Sequence, residues 1–194
     1  MTLETERLLL RPLELADATQ VQPLFARWEI VEFLNDKVPW PFPEDGVQSY
    51  YREVALPAIE RGEEWHWTLR LKERPEQVIG SIGLRRGLTR SAVDDHAGHN
   101  RGFWLGAAWH GQGLMTEAVV AVNDYWFDVL GFEVLRVSKA VANGTSRRIS
   151  EKTGMRVIGT GENGYVSKRW PSETWEITAE EWRAWKSLNP SLPR

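Results

Sequence analysis

The chain has no cysteine, and that absence removes disulfides, thiolate metal sites and a cysteine nucleophile from consideration. It also has no apolar run approaching the roughly 20 residues of a membrane-spanning helix. Its opening stretch, Met1 to Pro12, is charged at Glu4, Glu6, Arg7 and Arg11, where a secretory signal would need an apolar segment. A cytoplasmic location is expected. Positive charge is not in surplus either. The 24 Lys and Arg residues face 27 Asp and Glu, for a net charge of -3, so global electrostatics favours neither nucleic acid nor an anionic membrane as a partner. No glycine-rich stretch ends in Gly-Lys-Ser or Gly-Lys-Thr, which excludes a P-loop.

What is present is an ordinary soluble composition. With 194 residues, 42% of them hydrophobic and 26% charged, the chain suits one domain spanning 1–194 with a core to bury. Eleven tryptophans are many for this length. Core and rim packing accounts for most of them, and a stacked, water-excluding pocket would use the others.

Periodicity orders the elements. Glu6 to Leu13 alternates as a strand with Leu8 and Leu10 on one side, and Glu14 to Trp28 switches to helical spacing. Glu29 to Asp45 interleaves Pro39, Pro41 and Pro43 with Trp40 and Phe42, which predicts a stiff aromatic loop. Glu44 to Arg61 resumes helical spacing and stops at Gly62. In Glu64 to Leu71, residues Trp65, Trp67, Leu69 and Leu71 share one face and His66, Thr68 and Arg70 the other, a half-buried strand. Val78 to Leu84 pairs with it, and Arg85 to Gly98 reads as a polar loop before a strand at Asn100 to Ala107. Gly113 to Leu130 is the clearest helix. Its stripe is Met115, Ala118, Val119, Val122, Trp126, Val129 and Leu130, with Glu117, Asp124 and Asp128 opposite. Val134 to Val141 is a strand, Asn143 to Thr153 a short helix, and Met155 to Gly159 a strand. A turn at Gly161 to Gly164 leads into a hairpin arm, Tyr165 to Thr178, and Ala179 to Leu188 is the last helix. This order lacks the parallel alternation of a dinucleotide-binding fold.

Two segments carry chemistry. In Trp109-His110-Gly111-Gln112-Gly113, two glycines next to a helix start let the backbone approach a ligand, with amide N–H groups at the positive end of the helix dipole. That suits phosphate, although a tight strand-to-helix turn would look the same. In Asn143 to Met155, Asn143 or Thr145 caps a helix that Gly154 stops. Asp94, Asp95 and His96 crowd one loop, but without a further anchor they do not make a metal site, and none is expected.

Together these segments resemble the GNAT family of acyltransferases, and most strongly its branch of ribosomal-protein N-terminal alanine and serine acetyltransferases. Leu105-Gly-Ala-Ala-Trp-His-Gly-Gln-Gly-Leu-Met-Thr-Glu-Ala118 is similar to that branch's pyrophosphate loop and helix. Leu130-Gly-Phe132, Asn143-x-x-Ser146 and Glu151-Lys-x-Gly154 are similar to its second signature. The opening Thr5-Glu-Arg-Leu-Leu-Leu-Arg-Pro12 is similar to its first strand. The resemblance implies an α+β fold with a mixed, mostly antiparallel sheet of about seven strands, the fourth and fifth splayed around acetyl-CoA. It also implies backbone contacts from Leu105 and Ala107 to the pantetheine arm. The amides of Trp109, His110, Gly111, Gln112, Gly113 and Leu114 would surround the pyrophosphate, Asn143 would bind the pantetheine, and Ser146 would protonate the departing thiolate. A backbone N–H near Leu105 or Gly106 would hold the oxyanion.

Two departures matter. Ala108 stands where the general motif begins with Gln or Arg, and Asn100 stands where many relatives carry a glutamate as base. An α-amine, with a reference pKa of about 7.7 to 8.0, is partly neutral near pH 7.5, whereas a lysine near 10.4 is almost wholly protonated. The missing carboxylate therefore points to a weakly basic acceptor, with His99, His66 or Glu32 as candidates for proton removal. The expected partners are acetyl-CoA and an amine acceptor, a peptide N-terminus or a small molecule (antibiotics included), with a homodimer allowed and neither nucleic acid nor membrane. Trp40 and Phe42, with Glu32 or Asp36, are expected to line the acceptor pocket. The reading from another class is an inactive acyl-CoA-binding module.

Overall fold

The computed structural model describes residues 1–86 and 99–190. Two antiparallel sheets carry the chain. The first runs in chain order through β1 (Leu3–Glu4), β2 (Leu8–Pro12), β3 (Glu64–Leu71), β4 (Gly80–Arg85) and β5 (Arg101–Leu105). The second has the order β6 (Val134–Ala140), β8 (Arg169–Thr178), β7 (Arg156–Gly164). Among the described residues the strands number eight rather than about seven, because the short β1 adds one at the start. The expected fourth and fifth strands are thus β5 and β6, and they belong to different sheets. No helix among the described residues is long and apolar enough to cross a membrane.

Leu8, Leu10, Leu69, Ile82, Leu135 and Ile177 are fully buried, and α5 (Leu114–Asp124) packs Ala118, Val119 and Val122 into the same core. A second, smaller cluster joins Leu13, Val21, Val47, Tyr51 and Val78 beneath α1 (Ala18–Phe25) and α3 (Gly46–Tyr50). α3 continues through a π turn at Tyr51–Ala55 into α4 (Leu56–Glu60), and Gly62 at φ +69° follows. Here the structure corrects β3, which is covered on both faces. Thr68 and Arg70 are as buried as Trp67 and Leu69, because the 3-10 turn at Leu15–Asp17 places Asp17 against them. Arg70 Nη2 lies 2.5 Å from Asp17 Oδ1, and the Thr68 hydroxyl donates to Asp17 Oδ2 at 3.3 Å.

Three further expectations change. The helix from Glu14 breaks after Phe25, and a separate short helix, α2 (Trp28–Val31), occupies the start of the expected aromatic loop. After Asp124 the long helix widens into a π turn, Tyr125–Val129. That shifts the apolar stripe, so Phe127 is buried while Val129 is 57% exposed. Gly161 to Gly164 is strand, since β7 extends through Gly164 and pairs with β8 along its length. α6 (Gly144–Lys152) and α7 (Ala179–Leu188) fall where expected, α7 opening on a Thr178/Glu181 capping box. The Asp94, Asp95 and His96 loop lies outside the described residues.

Candidate active site

The site opens where β5 and β6 part. Asn100, at the head of β5, closes the joint: its N–H donates to the Arg136 carbonyl at 2.7 Å, and its Oδ1 accepts the Arg136 N–H at 2.8 Å. Its Nδ2 donates to the Arg85 carbonyl at 3.1 Å. This position therefore uses both a donor and an acceptor on one side chain, and an ionised carboxylate has no donor to give. Asn100 stitches the two sheets together and is not a base.

Beyond that joint, strand geometry decides which groups face the gap. Arg85 donates to the Asn100 carbonyl at 2.8 Å and Gly106 to the Ile79 carbonyl at 2.8 Å, so Gly102 and Trp104 between them turn their backbone groups toward β4. The alternation turns the backbone groups of Arg101, Phe103 and Leu105 toward the gap. The Gly106 N–H is spent on Ile79, which corrects its expected role as oxyanion donor and leaves the Leu105 N–H. The carbonyls of Leu105 and Ala107 are also engaged, by His110 Nε2 at 2.6 Å and the His110 N–H at 3.2 Å. Each carbonyl keeps a second lone pair for a pantetheine N–H, which leaves the Leu105 N–H for the oxyanion.

The loop after β5 makes one 3-10 turn at Ala107–Trp109, in which the Trp109 and His110 amides bond to Gly106 and Ala107. Those two amides are therefore withdrawn from the expected pyrophosphate set. Gly111 (φ +75°) and Gly113 (φ +77°) then adopt the left-handed conformation, and α5 begins at Leu114. No backbone acceptor among the described residues takes the amides of Gly111, Gln112, Gly113 or Leu114. With the first turn of an eleven-residue helix behind them, they form an anion-binding concavity that fits a pyrophosphate. Across the gap, Asn143 caps α6 by accepting the Ser146 N–H at 3.1 Å. The cap uses Oδ1 and leaves its amide NH2 for a ligand.

One cleft of about 680 Å³ joins these parts. It is lined by Leu105, Gly111, Gly113, Asn143 and Ser146, and, on a wall contributed by α2 and the residues after it, by Glu29 and Glu32. That wall is pinned from behind: the Glu32 carbonyl accepts the Ser167 hydroxyl at 2.7 Å and the Ser167 N–H at 3.2 Å, and Val166 donates to Leu34 at 3.0 Å. Trp40 and Phe42 do not line the cleft. Phe42 packs edge-on against Phe25 at 5.1 Å, and Trp40 lies on Trp28 at 5.3 Å on the outer surface. The proline-held backbone turns both rings toward the helices. Asp36 is likewise absent from this cleft, its carboxylate packed over Gly164.

The two histidines separate. His99 lines the cleft, but its Nδ1 accepts the Ser138 N–H at 3.0 Å, so the neutral ring carries its proton on Nε2 and has no lone pair to offer there. His66 bonds Glu64 at 2.6 Å on β3 and does not reach the cleft. Several groups on the cleft escaped sequence reasoning, among them Glu29, Arg101, Lys139 and Arg148. A signal existed for Lys139, which continues the Leu135, Val137 alternation on the buried face of β6.

A splayed sheet pair with a left-handed glycine loop feeding a helix, and a capped helix facing it, defines an acyl-CoA-dependent transferase. Residues 7–156 match the acetyltransferase (GNAT) domain. The chain belongs to the GNAT family, and it is an acyltransferase with acetyl-CoA as co-substrate. It is 27% identical over 162 residues to a probable N-acetyltransferase, YjcK, of Bacillus subtilis (strain 168), covering 81% of this chain and 84% of that one. Its fold superimposes on a ribosomal-protein-S5-alanine acetyltransferase from Vibrio fischeri with TM-score 0.76 at 14% identity, covering 94% and 98% of the two chains. It superimposes on spermidine N-acetyltransferase from Vibrio cholerae, in complex with CoA and spermine, with TM-score 0.72 at 16% identity, covering 91% and 98%.

Proposed function

We propose that the protein acetylates a primary amine by direct attack on the acetyl-CoA thioester, and that its preferred acceptor is the α-amine of a peptide or protein N-terminus. The observation that carries this reading is the single cleft in which the phosphate loop and Ser146 share walls with Glu29 and Glu32. Acetyl-CoA would lie in the gap with its pyrophosphate on the amides of Gly111 to Leu114. The carboxylates draw a cationic amine to their part of the cleft. Asn100 supplies no base, so the acceptor must enter with an appreciable neutral fraction, as an α-amine does near pH 7.5.

The neutral nitrogen attacks the thioester carbon, and the Leu105 N–H donates to the oxyanion. The C–S bond then breaks, and the Ser146 hydroxyl gives its proton to the thiolate. The proton shed by the new amide nitrogen returns to Ser146 through water. The product is an N-acetyl amine and free CoA.

An acceptor screen of N-terminal peptides against polyamines and other small amines, read by CoA release, tests the substrate class. Peptides should show the highest kcat/KM. Higher values for polyamines would instead select a small-molecule transferase, a reading that Glu29 and Glu32 also serve. Acetyl-CoA binding without CoA release across the whole panel would leave only an inactive acyl-CoA-binding module.

A further inference from the structure

Lys139 lies on β6 with 5% of its surface exposed, and it contributes to the cleft wall. Its Nζ donates to the Ser146 carbonyl at 3.0 Å and contacts the Ser150 hydroxyl. Ser146 and Ser150 are one turn apart on α6, so a single amine grips one rung of that helix. The tie bridges the short connection Val141 to Asn143, which holds itself by the bonds Asn143 N–H to Ala140 and Gly144 N–H to Ala142.

No carboxylate ion-pairs with Lys139 among the described residues. The charged groups facing it are Arg101 from β5, Glu173 from β8, and Arg147 and Glu151 from α6. Arg147 and Glu173 already pair with each other at 2.9 Å, and the Trp175 ring lies 5.7 Å from Nζ. Burial, then the charge of Arg101, pushes the amine well below the ordinary lysine range. Charged or neutral, it still has two N–H groups to donate, so both contacts survive either state. Burying an amine without a carboxylate costs stability, and an apolar side chain of similar length would avoid that cost. Its two partners, however, lie on successive turns of the helix that carries Ser146 and is capped by Asn143.

We infer that Lys139 is a positioning residue, anchoring the first turn of α6 to β6 so that the Ser146 hydroxyl meets the thioester sulfur. This rests on the reading of Ser146 as proton donor. The test is a double-mutant cycle of Lys139→Met, Ser146→Ala and the pair, measured as CoA release at saturating acetyl-CoA and acceptor, with melting temperatures alongside. Lys139→Met should lower kcat about tenfold, keep the acetyl-CoA KM within threefold, leave Tm unchanged or higher, and have no further effect in the Ser146→Ala background. Lys139→Gln, which keeps N–H donors, should recover part of the turnover. An unchanged kcat, an equal loss in both backgrounds, a loss that tracks a lowered Tm, or equal losses for Met and Gln overturns the inference. The two readings fail separately: full turnover in Ser146→Ala retires the proton donor, whereas a loss there with normal Lys139→Met turnover retires only the anchor.

Discussion

Arg7 and Glu117, 110 residues apart, are joined by three contacts that fasten the N-terminal segment to the helix behind the phosphate loop. The Arg7 N–H donates to Glu117 Oε1 at 2.8 Å, its Nε to Oε2 at 2.8 Å, and its Nη2 lies 2.7 Å from Oε2. The Thr5 hydroxyl donates to the same carboxylate at 2.5 Å. Arg7 Nη1 then reaches the Gln112 carbonyl at 3.0 Å, between the two left-handed glycines. The opening Thr-Glu-Arg and the Thr-Glu-Ala of α5 are thus two ends of one clamp.

Arg7→Met should therefore do two things. It leaves the Glu117 carboxylate, whose side chain is 0% exposed, without a cation, at a cost of about 2 kcal/mol; Arg7 is partly solvated, so the full penalty of a buried pair does not apply. It also frees the Gln112 carbonyl, and the acetyl-CoA Kd should rise about tenfold. Thermal melts and calorimetric titration separate the two. A lowered Tm with an unchanged Kd would show that the loop holds its shape without the clamp.

Gly111 and Gly113 make a second prediction. A side chain at Gly111 would meet nothing within 4 Å, so Gly111→Ala pays only for its positive φ, about 1–2 kcal/mol. Gly111→Asp adds a negative charge where pyrophosphate must sit and should abolish CoA binding while folding much as Gly111→Ala does. Equal CoA affinity for the two variants would remove the phosphate role of this loop.

On the acceptor wall, Glu32→Gln should raise the acceptor KM severalfold, with a smaller effect at high salt, and leave the acetyl-CoA KM unchanged. Trp40→Ala should leave both constants unchanged, because its ring covers Trp28 on the outer surface. A raised acceptor KM in Trp40→Ala would mean that the loop closes over the cleft when substrate binds.

Acid stability should depend on Glu64. Burial alone would raise its pKa, but the hydrogen bond to His66 and the charge of Arg85, whose Nε lies 2.6 Å away, outweigh it and hold it below the ordinary glutamate value. The unfolded chain therefore takes up this proton first. The stabilisation is complete above the unfolded value of about 4.3 and is lost as pH falls through the lower folded value. Urea unfolding between pH 6 and pH 3 should show Glu64→Gln with a shallower decline than the parent chain.

Much of the fold was legible because each element announced itself locally. β3 spans Glu64–Leu71 and α7 spans Ala179–Leu188, both matching their periodicity. The glycine loop and the Asn143 cap stand where their motifs put them, since φ and capping preferences act within a few residues. Partnership was not legible. Alternation alone sets the polar face of β3 toward solvent, but Asp17 covers it, and Glu117 on the polar side of its helix is buried by Arg7 from 110 residues away. The prolines do stiffen the loop that carries Trp40 and Phe42, as the sequence predicts, but they do not aim its rings, which pack on Trp28 and Phe25 rather than on an acceptor pocket.

The amino-acid order by itself excluded a thiol route and set a glycine turn suited to phosphate before a long amphipathic helix and a serine in the first turn of a capped second helix; its resemblance to a family marked an asparagine where many relatives carry a carboxylate. Only the tertiary structure decided which atoms remain for that chemistry. The Gly106 amide is taken by Ile79 on the neighbouring strand segment. Asn100 is consumed in joining β5 to β6, and Lys139 is turned inward onto the turn that carries Ser146. The reason is physical. Backbone conformation and helix caps follow from neighbours in the chain, whereas the availability of a buried donor or acceptor depends on which distant residue reaches it, and that is settled only when the sheets pack.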